Sequence, residues 1–435
     1  MKKDKVVVWK KKEYSKKKTK ALKFLILSIF LLPFFTYMLV IGSHSSSLIN
    51  NTFKICLVIG EIVSLIIFIS SLFLIVKEKD SRVLKYKTWF KVVLGIFLFF
   101  YLGLSTFFIF LLYGPNKRFK DWLIPTAMET MRHQYLAKWF YNADDINKVL
   151  KSNELVEVKE NTNPELVMIV KPQKRTIYQN EFEKEILERD KDQLYKFISI
   201  ERRKSRNNLL KGYLVAIYDP KKVKLFVPDL SSHRGLRLEE IYKKYNYPVI
   251  MNAGGFADPG GIGLGRAKDA HGPVIKDGKK VTNNGRYSLG RGGIIGFNKE
   301  NKLILSRMTI DEAIRAGIRD AVDFGPYLIV NGKPSFQKGS GSGGLANRTV
   351  IGQRSDGIVL FLVMDGRRWG SVPGADYGDL VEIMSDYGAI NAANLDGGTS
   401  SGLIYEGELK NVIINMYGQR LARTRPMANA WIVEP

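Results

Sequence analysis

Apolar residues form three successive patterns along the chain, and the first is a set of long, nearly uninterrupted stretches. These stretches cover residues 21–41, 53–76 and 89–113. Each contains the roughly 20 residues that an α-helix needs to cross the hydrocarbon core of a bilayer. The first follows a basic segment, but no small-residue cleavage pattern comes after it and two more spans do. We therefore expect three retained transmembrane helices.

The second pattern is helical periodicity between residues 122 and 150. A polar run from Asn142 to Asp145 interrupts it, which indicates a break followed by a new helix cap. We interpret this segment as a helical hairpin that acts as a packing stalk. Residues 153–206 are more polar, and alternating charges favour a helix from Glu181 to Phe197 in a linking subdomain.

The third pattern begins at residue 209, where short runs of β-branched and aromatic residues alternate with glycine turns. Helical spacing returns only at residues 237–245, 310–316 and 377–387. These features predict an α+β fold with a mixed β-sheet domain and flanking helices. The expected organisation is a basic head at 1–20, transmembrane helices within 21–113, a stalk and linking subdomain at 114–208, and the main domain at 209–435.

The formal net charge of +25 is concentrated in the N-terminal head, where lysines crowd before residue 24. The loop at 77–91 is also basic, whereas the loop at 42–51 has no lysine or arginine. Because positive loops stay cytoplasmic, the N-terminus is predicted inside and the C-terminal domain outside, in a multi-pass cell-membrane protein. Anionic lipids attract such a head by about 1 kcal/mol per basic residue near the surface.

Other residue counts limit the classes of function. The single cysteine, Cys56, excludes an intrachain disulfide and a cysteine-based zinc site. No zinc-finger pattern and no aromatic and basic nucleic-acid pattern occurs, so no nucleic-acid partner is expected. Glu61 is the one acidic residue within a predicted span. Apart from the three spans, it is the only feature that supports the hypothesis of a transporter. We favour an anchor, because the internal repeats and interrupted helices of transporters are missing.

Candidate chemistry lies where predicted strands end in small polar motifs. Asn252 precedes two glycines and Phe256, a stretch suited to close approach of a backbone to a ligand and to stacking on a sugar ring. Arg348 stands directly before a strand, and a guanidinium can grip a phosphate with two parallel hydrogen bonds. Asp365 and Asp396 each end a strand and precede glycine, which makes them a carboxylate pair suited to glycosyl chemistry.

Five ordered motifs within this domain resemble those of the phosphodiester glycosidase family. They are AGGF at 253–256, NRTVIG at 347–352, VMDGR at 363–367, NLDGGTSS at 394–401 and RPMANA at 425–430. The resemblance covers about residues 209–435, and many bacterial members of this family carry N-terminal membrane segments. It implies hydrolysis of the bond between an anomeric carbon and a phosphate, with phosphate-containing carbohydrate as substrate. No cofactor is expected, no residue is assigned as a metal ligand, and the sequence leaves metal dependence open.

The resemblance and the residue types together assign roles at this site. Asp396 or Asp365 is expected to be the nucleophile or general base, Arg348 the cation on the phosphate, and Asn252 a group that orients sugar or phosphate. His271 is a weaker candidate for protonating a leaving oxygen. The predicted binding residues are Gly254, Gly255, Phe256, His271, Asn394, Gly397, Gly398, Thr399, Ser400 and Asn429.

One position departs from the family pattern. The family commonly has three glycines after the aspartate, whereas this chain has Gly397, Gly398 and then Thr399, whose hydroxyl narrows the loop or adds a hydrogen bond. The main hypothesis is a membrane-anchored, outward-facing hydrolase of a surface glycopolymer such as an exopolysaccharide or a teichoic acid. The alternative is a non-catalytic protein that binds or assembles wall polymer.

Overall fold

The computed structural model describes residues 106–129, 134–170, 177–205, 208–229, 234–257, 270–284, 292–341, 343–368, 370–415 and 418–435, with scattered positions between 23 and 103. The chain divides into two compact units, Met1–Leu150 and Lys151–Pro435. Each unit is described by itself below.

The expected transmembrane helices are contradicted. Among the described positions, no helix combines the length and the apolar character that a bilayer span requires. Most of the three apolar stretches lies outside the described residues, as do Glu61 and the basic head at 1–20. The extracellular location of the main domain stays a prediction.

The first unit contains a small helical cluster. Its helices are α1 (Lys117–Glu129), α2 (Gln134–Lys138) and the start of α3 (Ala143–Ser152), and residues 106–113 are also helical. The predicted break before α3 is confirmed, because the Asn142 side chain accepts a hydrogen bond of 2.7 Å from the Asp145 N–H and so caps the new helix. The cluster core consists of Ile124, Ala127, Ala137, Tyr141 and Ile146.

The second unit contains most of the regular structure. Its further helices are α4 (Glu181–Leu187), α5 (Leu238–Tyr245), α6 (Ile310–Arg315) and α7 (Tyr377–Asp386). Its strands are β1 (Leu155–Val156), β2 (Tyr195–Ser205), β3 (Asn208–Ile217), β4 (Val223–Phe226), β5 (Val249–Asn252), β6 (Gly272–Lys276), β7 (Lys279–Asn284), β8 (Gly293–Asn298), β9 (Leu303–Ser306), β10 (Ile318–Phe324), β11 (Tyr327–Val330), β12 (Lys333–Pro334), β13 (Phe336–Gln337), β14 (Arg348–Arg354), β15 (Val359–Met364), β16 (Ala389–Asn394), β17 (Leu403–Tyr405), β18 (Glu408–Leu409), β19 (Ile413–Ile414), β20 (Arg420–Leu421) and β21 (Ala430–Val433).

Three larger sheets build this unit, and all their pairings are antiparallel within the described part of the chain. The largest has the order β12-β11-β16-β14-β15-β3-β2, and the other two have the orders β7-β6-β10-β8-β9 and β18-β17-β5-β21-β4. The prediction of mixed sheets is therefore wrong. Short loops and hairpins connect many neighbouring strands, and such connections join antiparallel strands.

The segment predicted as a polar linker contributes to the largest sheet. The helix expected from Glu181 to Phe197 ends at Leu187, and β2 follows at Tyr195. This strand pairs with β3 over nearly its whole length, from Tyr195 opposite Ile217 to Ser205 opposite Asn208. The predicted domain start at residue 209 thus lies inside a strand that is paired with the preceding segment.

Alternation along the strands divides the apolar side chains between two cores. In β15, Phe361 and Val363 face a core shared by all three larger sheets, whereas Leu360 and Leu362 face a second core. Helix α7 covers that second face, with Leu380 among its buried residues. Burial on both faces explains why β15 reads as a continuous apolar run. This central position makes β15 and its neighbours a rigid support for the residues that follow their ends.

Candidate functional site

The largest sheet brings three of the predicted motifs to one end. Arg348, at the start of β14, pairs with Met364 at the end of β15. Val350, near the start of β14, pairs with Asn394 at the end of β16. Because neighbouring strands run antiparallel, the beginning of β14 lies beside the ends of the strands on both of its sides. Asp365 and the loop that contains Asp396 therefore leave the sheet at the same end as Arg348.

Asn252 joins the end of β5 to this group. Its side-chain Nδ2 donates to the Asp396 carbonyl oxygen at 2.6 Å, and its Oδ1 accepts from the Thr349 hydroxyl at 2.9 Å and from the Gly402 N–H at 3.0 Å. The residue is 1% exposed. These three contacts tie the Asn252 side chain to the Asp396 loop and to β14. The role predicted for its amide, orienting sugar or phosphate, stays a prediction.

Asp396 is held by its backbone on both sides. Its N–H donates to the Ala253 carbonyl at 3.1 Å, and its carbonyl accepts the Asn252 amide described above. Its Oδ1 accepts from the Gly397 N–H at 2.9 Å. The residue is half-buried. Its backbone contacts therefore fix the position of a half-buried carboxylate at this end of the sheet.

The glycines after Asp396 are required by the path of the loop. Gly398 has φ of +63°, a left-handed conformation that glycine adopts without strain, and its N–H donates to the Asn347 carbonyl at 2.8 Å. A Cβ at Gly397 would lie 3.0 Å from that same carbonyl oxygen. The loop then forms one turn of 3₁₀ helix, Gly398–Ser400. Two glycines fit here because the loop packs directly on the backbone of Asn347.

Asp365 has a different environment from Asp396. It is fully buried, its Oδ1 accepts from the Val412 N–H at 2.8 Å, and its Oδ2 pairs with Arg368 Nη2 at 3.2 Å. Burial raises its pKa, while the Val412 hydrogen bond and nearby positive charges, Arg368 first, act in the opposite direction. These contacts assign Asp365 to holding the neighbouring segment.

Arg348 is buried and occupied by main-chain oxygens. Its Nη2 donates to the carbonyls of Gly343 and of Gly344, the latter at 2.9 Å, and its Nε donates to the Ala375 carbonyl at 3.3 Å. Its guanidinium also lies over the Tyr377 ring, 4.5 Å from the centroid. Arg348 thus holds Gly343 and Gly344 beside the start of α7. Its predicted role as the cation on the phosphate stays a prediction.

Arg367 is a charged residue at this site that the sequence-based list of candidates omits. Its Nη1 donates to the Thr399 hydroxyl at 3.2 Å and to the Ile414 carbonyl at 3.4 Å. Burial lowers the pKa of its guanidinium, and the positive charge of Arg348 lowers it further. The sequence signal for Arg367 is its place at the end of the VMDGR motif. The motif contributed to the resemblance, but no role was predicted for its arginine.

Several buried polar atoms around the Asp396 loop have no hydrogen-bond partner among the described residues. They are Asn347 Oδ1, Asn394 Oδ1, Ser401 Oγ and Asn429 Nδ2. Asn429 Oδ1 accepts from the Gly254 N–H at 2.7 Å, and Asn394 Nδ2 donates to the Gly325 carbonyl at 2.9 Å. Buried polar groups are normally paired, so this concentration marks a place where polar ligand groups or water belong.

The AGGF motif directly follows β5, a strand of the sheet with the order β18-β17-β5-β21-β4. Phe256 is 6% exposed and packs in the main core with Arg425 over its ring, so its face is covered by protein. A Cβ on Gly255 would lie 2.9 Å from the Phe324 ring. The backbone of His271 donates to the Gly255 carbonyl at 2.8 Å, and burial lowers the pKa of this histidine. The motif thus serves close packing here.

Asp323 is a second titratable group near the motif that sequence reasoning did not single out. It lies at the end of β10, and its carboxylate contacts the backbone of Gly272, where an added Cβ would be 2.6 Å from Asp323 Oδ2. Burial raises its pKa to about 6. In the sequence it looks like one charge in an alternating strand, so only the fold reveals its environment.

Comparison with known proteins identifies a family that part of the chain resembles. The sequence model of the family described as phosphodiester glycosidase matches residues 245–434. The matched segment is less than half of the chain, so the match is a similarity of this segment to that family. Residues 245–434 are called the phosphodiester glycosidase domain below. They include every candidate site residue named above.

Individual relatives of the phosphodiester glycosidase domain are distant. An uncharacterized protein, YomE, from the SPbeta prophage of Bacillus subtilis is 36% identical over 106 residues, which is 24% of this chain and 16% of that protein. The catalytic domain of zebrafish N-acetylglucosamine-1-phosphodiester alpha-N-acetylglucosaminidase is 18% identical, with a TM-score of 0.46, over 57% of this chain and 85% of that one. A hypothetical protein from Synechocystis is 16% identical, with a TM-score of 0.39, over 55% and 62% of the two chains.

The individual site residues predicted from the sequence stay predictions as to their roles. The structure does bring Asn252, Arg348, Asp365 and Asp396 to one end of the main sheet, through the contacts given above. It places Phe256 in the core and His271 beside Gly255, in the neighbouring AGGF region.

Proposed function

We propose that the phosphodiester glycosidase domain hydrolyses the bond between an anomeric carbon and a phosphate oxygen in a sugar 1-phosphodiester. The observation that carries this proposal is the half-buried Asp396, fixed by Ala253 and Asn252, at a sheet end that also holds unpaired polar atoms and two guanidinium groups. The similarity of residues 245–434 to the family supports the same reaction class.

The bond changes follow from the chemistry of the substrate. Water adds its oxygen to the anomeric carbon, the bond from that carbon to the phosphate oxygen breaks, and the phosphomonoester leaves with the bonding electron pair. The proton lost by water is taken up by a carboxylate. The transition state resembles an oxocarbenium ion, which a nearby carboxylate stabilises. Phosphate is a good leaving group, so a fixed cation on it contributes more than a strong general acid would.

Asp396 suits the carboxylate role better than Asp365 does. Asp396 is half-buried, whereas both oxygens of Asp365 are engaged by Val412 and Arg368 inside the protein. Removing Asp365 from those partners would leave the Val412 N–H without its acceptor and Arg368 without its ion-pair partner, which costs stability. We therefore assign the reacting carboxylate to Asp396 and a supporting role to Asp365.

We further propose that the substrate is a phosphate-containing surface glycopolymer, of the teichoic-acid or exopolysaccharide class. The support is the number of basic residues at this end of the domain, where the charges of Arg368, Lys211 and Arg420 all lower the pKa of Asp365 and where Arg348 and Arg367 also lie. Such a field raises the local concentration of a polyanion and speeds its association. A polymer with repeated phosphodiesters would use this charge beyond the single bond that is cleaved.

The proposal is tested with the full-length chain and a panel of sugar 1-phosphodiesters. We expect the wild-type protein to release sugar from at least one member, and Asp396→Asn to reduce that rate by about 10²–10⁴-fold. Asp311→Asn is the matched control, because Asp311 is an exposed aspartate on α6 and its loss should leave the rate unchanged.

Two results would contradict the proposal. One is a folded wild-type chain that releases no sugar from any substrate in the panel. The other is an Asp396→Asn variant that keeps the wild-type rate. Binding of glycopolymer without turnover would favour the alternative of a non-catalytic polymer-binding protein.

A further inference from the structure

The side chain of Arg367 is directed at the Asp396 loop by an unusual backbone turn. Arg367 has φ of +60°, and its N–H donates to the Pro373 carbonyl at 2.9 Å, which closes the turn after β15. A left-handed conformation is uncommon outside glycine, asparagine and aspartate and is maintained only when surrounding contacts fix it. The consequence is that the guanidinium reaches Thr399, three residues after Asp396.

The guanidinium of Arg367 retains donors for a ligand. Both hydrogen bonds of the guanidinium are made by Nη1, to the Thr399 hydroxyl and the Ile414 carbonyl, and no carboxylate among the described residues forms an ion pair with it. Nη2 lies 2.8 Å from the position that a Cβ of residue 398 would occupy. Glycine at 398 therefore leaves space beside Nη2 that any other residue would fill.

The surroundings of Arg367 also disfavour its positive charge. Burial lowers the pKa of its guanidinium, and the positive charge of Arg348 lowers it further. Two cations held close together in a partly buried place are costly unless an anion accompanies them. A phosphate group between Arg367 and the loop would relieve this repulsion and accept two parallel hydrogen bonds.

Arg348 is less suited to that task, although it was the cation predicted from the sequence. All three of its nitrogens already donate to protein oxygens, those of Gly343, Gly344, Ala375 and the Tyr377 hydroxyl. Binding a phosphate would require it to release the 343–344 segment. Arg367 needs no such rearrangement.

We infer that Arg367, positioned by the Thr399 hydroxyl, binds the phosphate of the substrate and sets the preference for phosphodiesters over uncharged glycosides. The inference rests on the proposed function and adds a specificity-determining residue to the same site. It also gives Thr399 a purpose. The residue that replaces the third glycine of the family pattern supplies the hydrogen-bond acceptor that orients the arginine.

The first test measures phosphate binding without any reaction. Inorganic phosphate is titrated calorimetrically into the full-length wild-type chain and into Arg367→Met, Arg367→Lys and Thr399→Val. We expect Arg367→Met to weaken binding by about 10- to 100-fold, since it removes charge-assisted hydrogen bonds. Thr399→Val keeps the arginine and should weaken binding about 3- to 10-fold by releasing it. Arg315→Met, at an exposed arginine of α6, is the control for the loss of one positive charge.

The second test compares a sugar 1-phosphodiester with the uncharged nitrophenyl glycoside of the same sugar. Arg367→Met should lower kcat/KM for the phosphodiester and leave that for the glycoside nearly unchanged. An equal loss on both substrates would show a structural role and overturn the inference, as would wild-type phosphate affinity in Arg367→Met. If Arg367→Met does not fold, Arg367→Lys still tests the inference, because lysine keeps the positive charge in a similar volume. Its affinity for phosphate should lie between those expected for the wild-type chain and for Arg367→Met.

The two tests separate this inference from the proposed function. Phosphate binding that depends on Arg367, in a chain that releases no sugar, would support the inference as a binding site while the hydrolytic proposal fails. Sugar release that is insensitive to Arg367→Met would support hydrolysis and overturn the inference. A wild-type chain that binds no inorganic phosphate would overturn it as well.

Discussion

Replacing Asn252 by alanine tests the support of the Asp396 loop directly. The change removes one donor and one acceptor that together make three hydrogen bonds, to the Asp396 carbonyl, the Thr349 hydroxyl and the Gly402 N–H. The residue is 1% exposed, so water cannot simply take the place of the amide. We expect both a loss of stability and a loss of the geometry at Asp396.

The size of the stability loss follows from the number of bonds. A typical hydrogen bond contributes about 1 kcal/mol net, and a buried group left unpaired costs about 1–3 kcal/mol. Three partners are left without the amide, so at the lower end of that range the free energy of unfolding should fall by about 3–4 kcal/mol. Urea unfolding of the full-length chain, followed by tryptophan fluorescence, measures this value because Trp431 is fully buried in the main core.

Gln353→Ala is the matched control for this experiment. Gln353 is also fully buried and also makes three hydrogen bonds, with the Leu303 N–H and with the carbonyls of Asn301 and Gly357. It lies at the far end of β14 from Arg348. Both variants should lose similar stability, but only Asn252→Ala should lose sugar release beyond the fraction of protein that is unfolded.

Two outcomes would refute this reasoning. A change in unfolding free energy below about 1 kcal/mol for Asn252→Ala would mean that its three bonds do not carry the expected weight. Equal specific activities of the folded Asn252→Ala and Gln353→Ala proteins would mean that the position of Asp396 does not depend on Asn252.

Two further predictions concern Arg348 and Asp323. Arg348→Met should destabilise the protein by about 2–4 kcal/mol and expose the 339–344 segment to limited proteolysis, because four protein oxygens lose their donor. Burial raises the pKa of Asp323 to about 6 from an unfolded value near 3.9, so its contribution to stability is full below about pH 4 and is lost as the pH rises through 6. Asp323→Asn should therefore raise the free energy of unfolding at pH 7.5 by on the order of 1–2 kcal/mol, a value reduced to allow for the partial exposure of the carboxylate. The same variant should give no gain at pH 4. The midpoints of urea unfolding at the two pH values measure both effects.

The sequence predicted the elements whose patterns are local and strong. Helices α5, α6 and α7 were predicted within one or two residues of their observed bounds, because each combines an apolar stripe with polar residues at its start. Strand β15 was evident from its continuous apolar run. Strand β10 has a weaker sequence signal, since Arg319, Asp320 and Asp323 break its alternation. Its charges are accommodated partly by tertiary contacts that no local pattern reports, such as the hydrogen bond of 2.7 Å from Arg319 to the Val223 carbonyl.

The candidate site was partly predictable for a related reason. Asp365 and Asp396 share the same local signal, an aspartate that ends an apolar strand before glycine. Their different surroundings arise from the Val412 segment, far along the chain, whose N–H fixes Asp365. Likewise the role of Arg348 is set by the carbonyls of Gly343 and Gly344, which appear in sequence only as part of a flexible run. A motif can therefore locate a site while tertiary contacts divide the work within it.

The division of work at this site follows from which groups the fold has already paired. Asp365, Arg348 and the Asn252 amide are each engaged by protein atoms, so a ligand would have to displace those contacts to use them. Asp396 and Arg367 are held at their backbones, are both half-buried, and lie beside the Gly398 turn. Preorganised catalysis requires reacting groups whose positions are fixed by such paired supports. A phosphodiester placed with its phosphate at Arg367 and its anomeric carbon at Asp396 matches this division of groups.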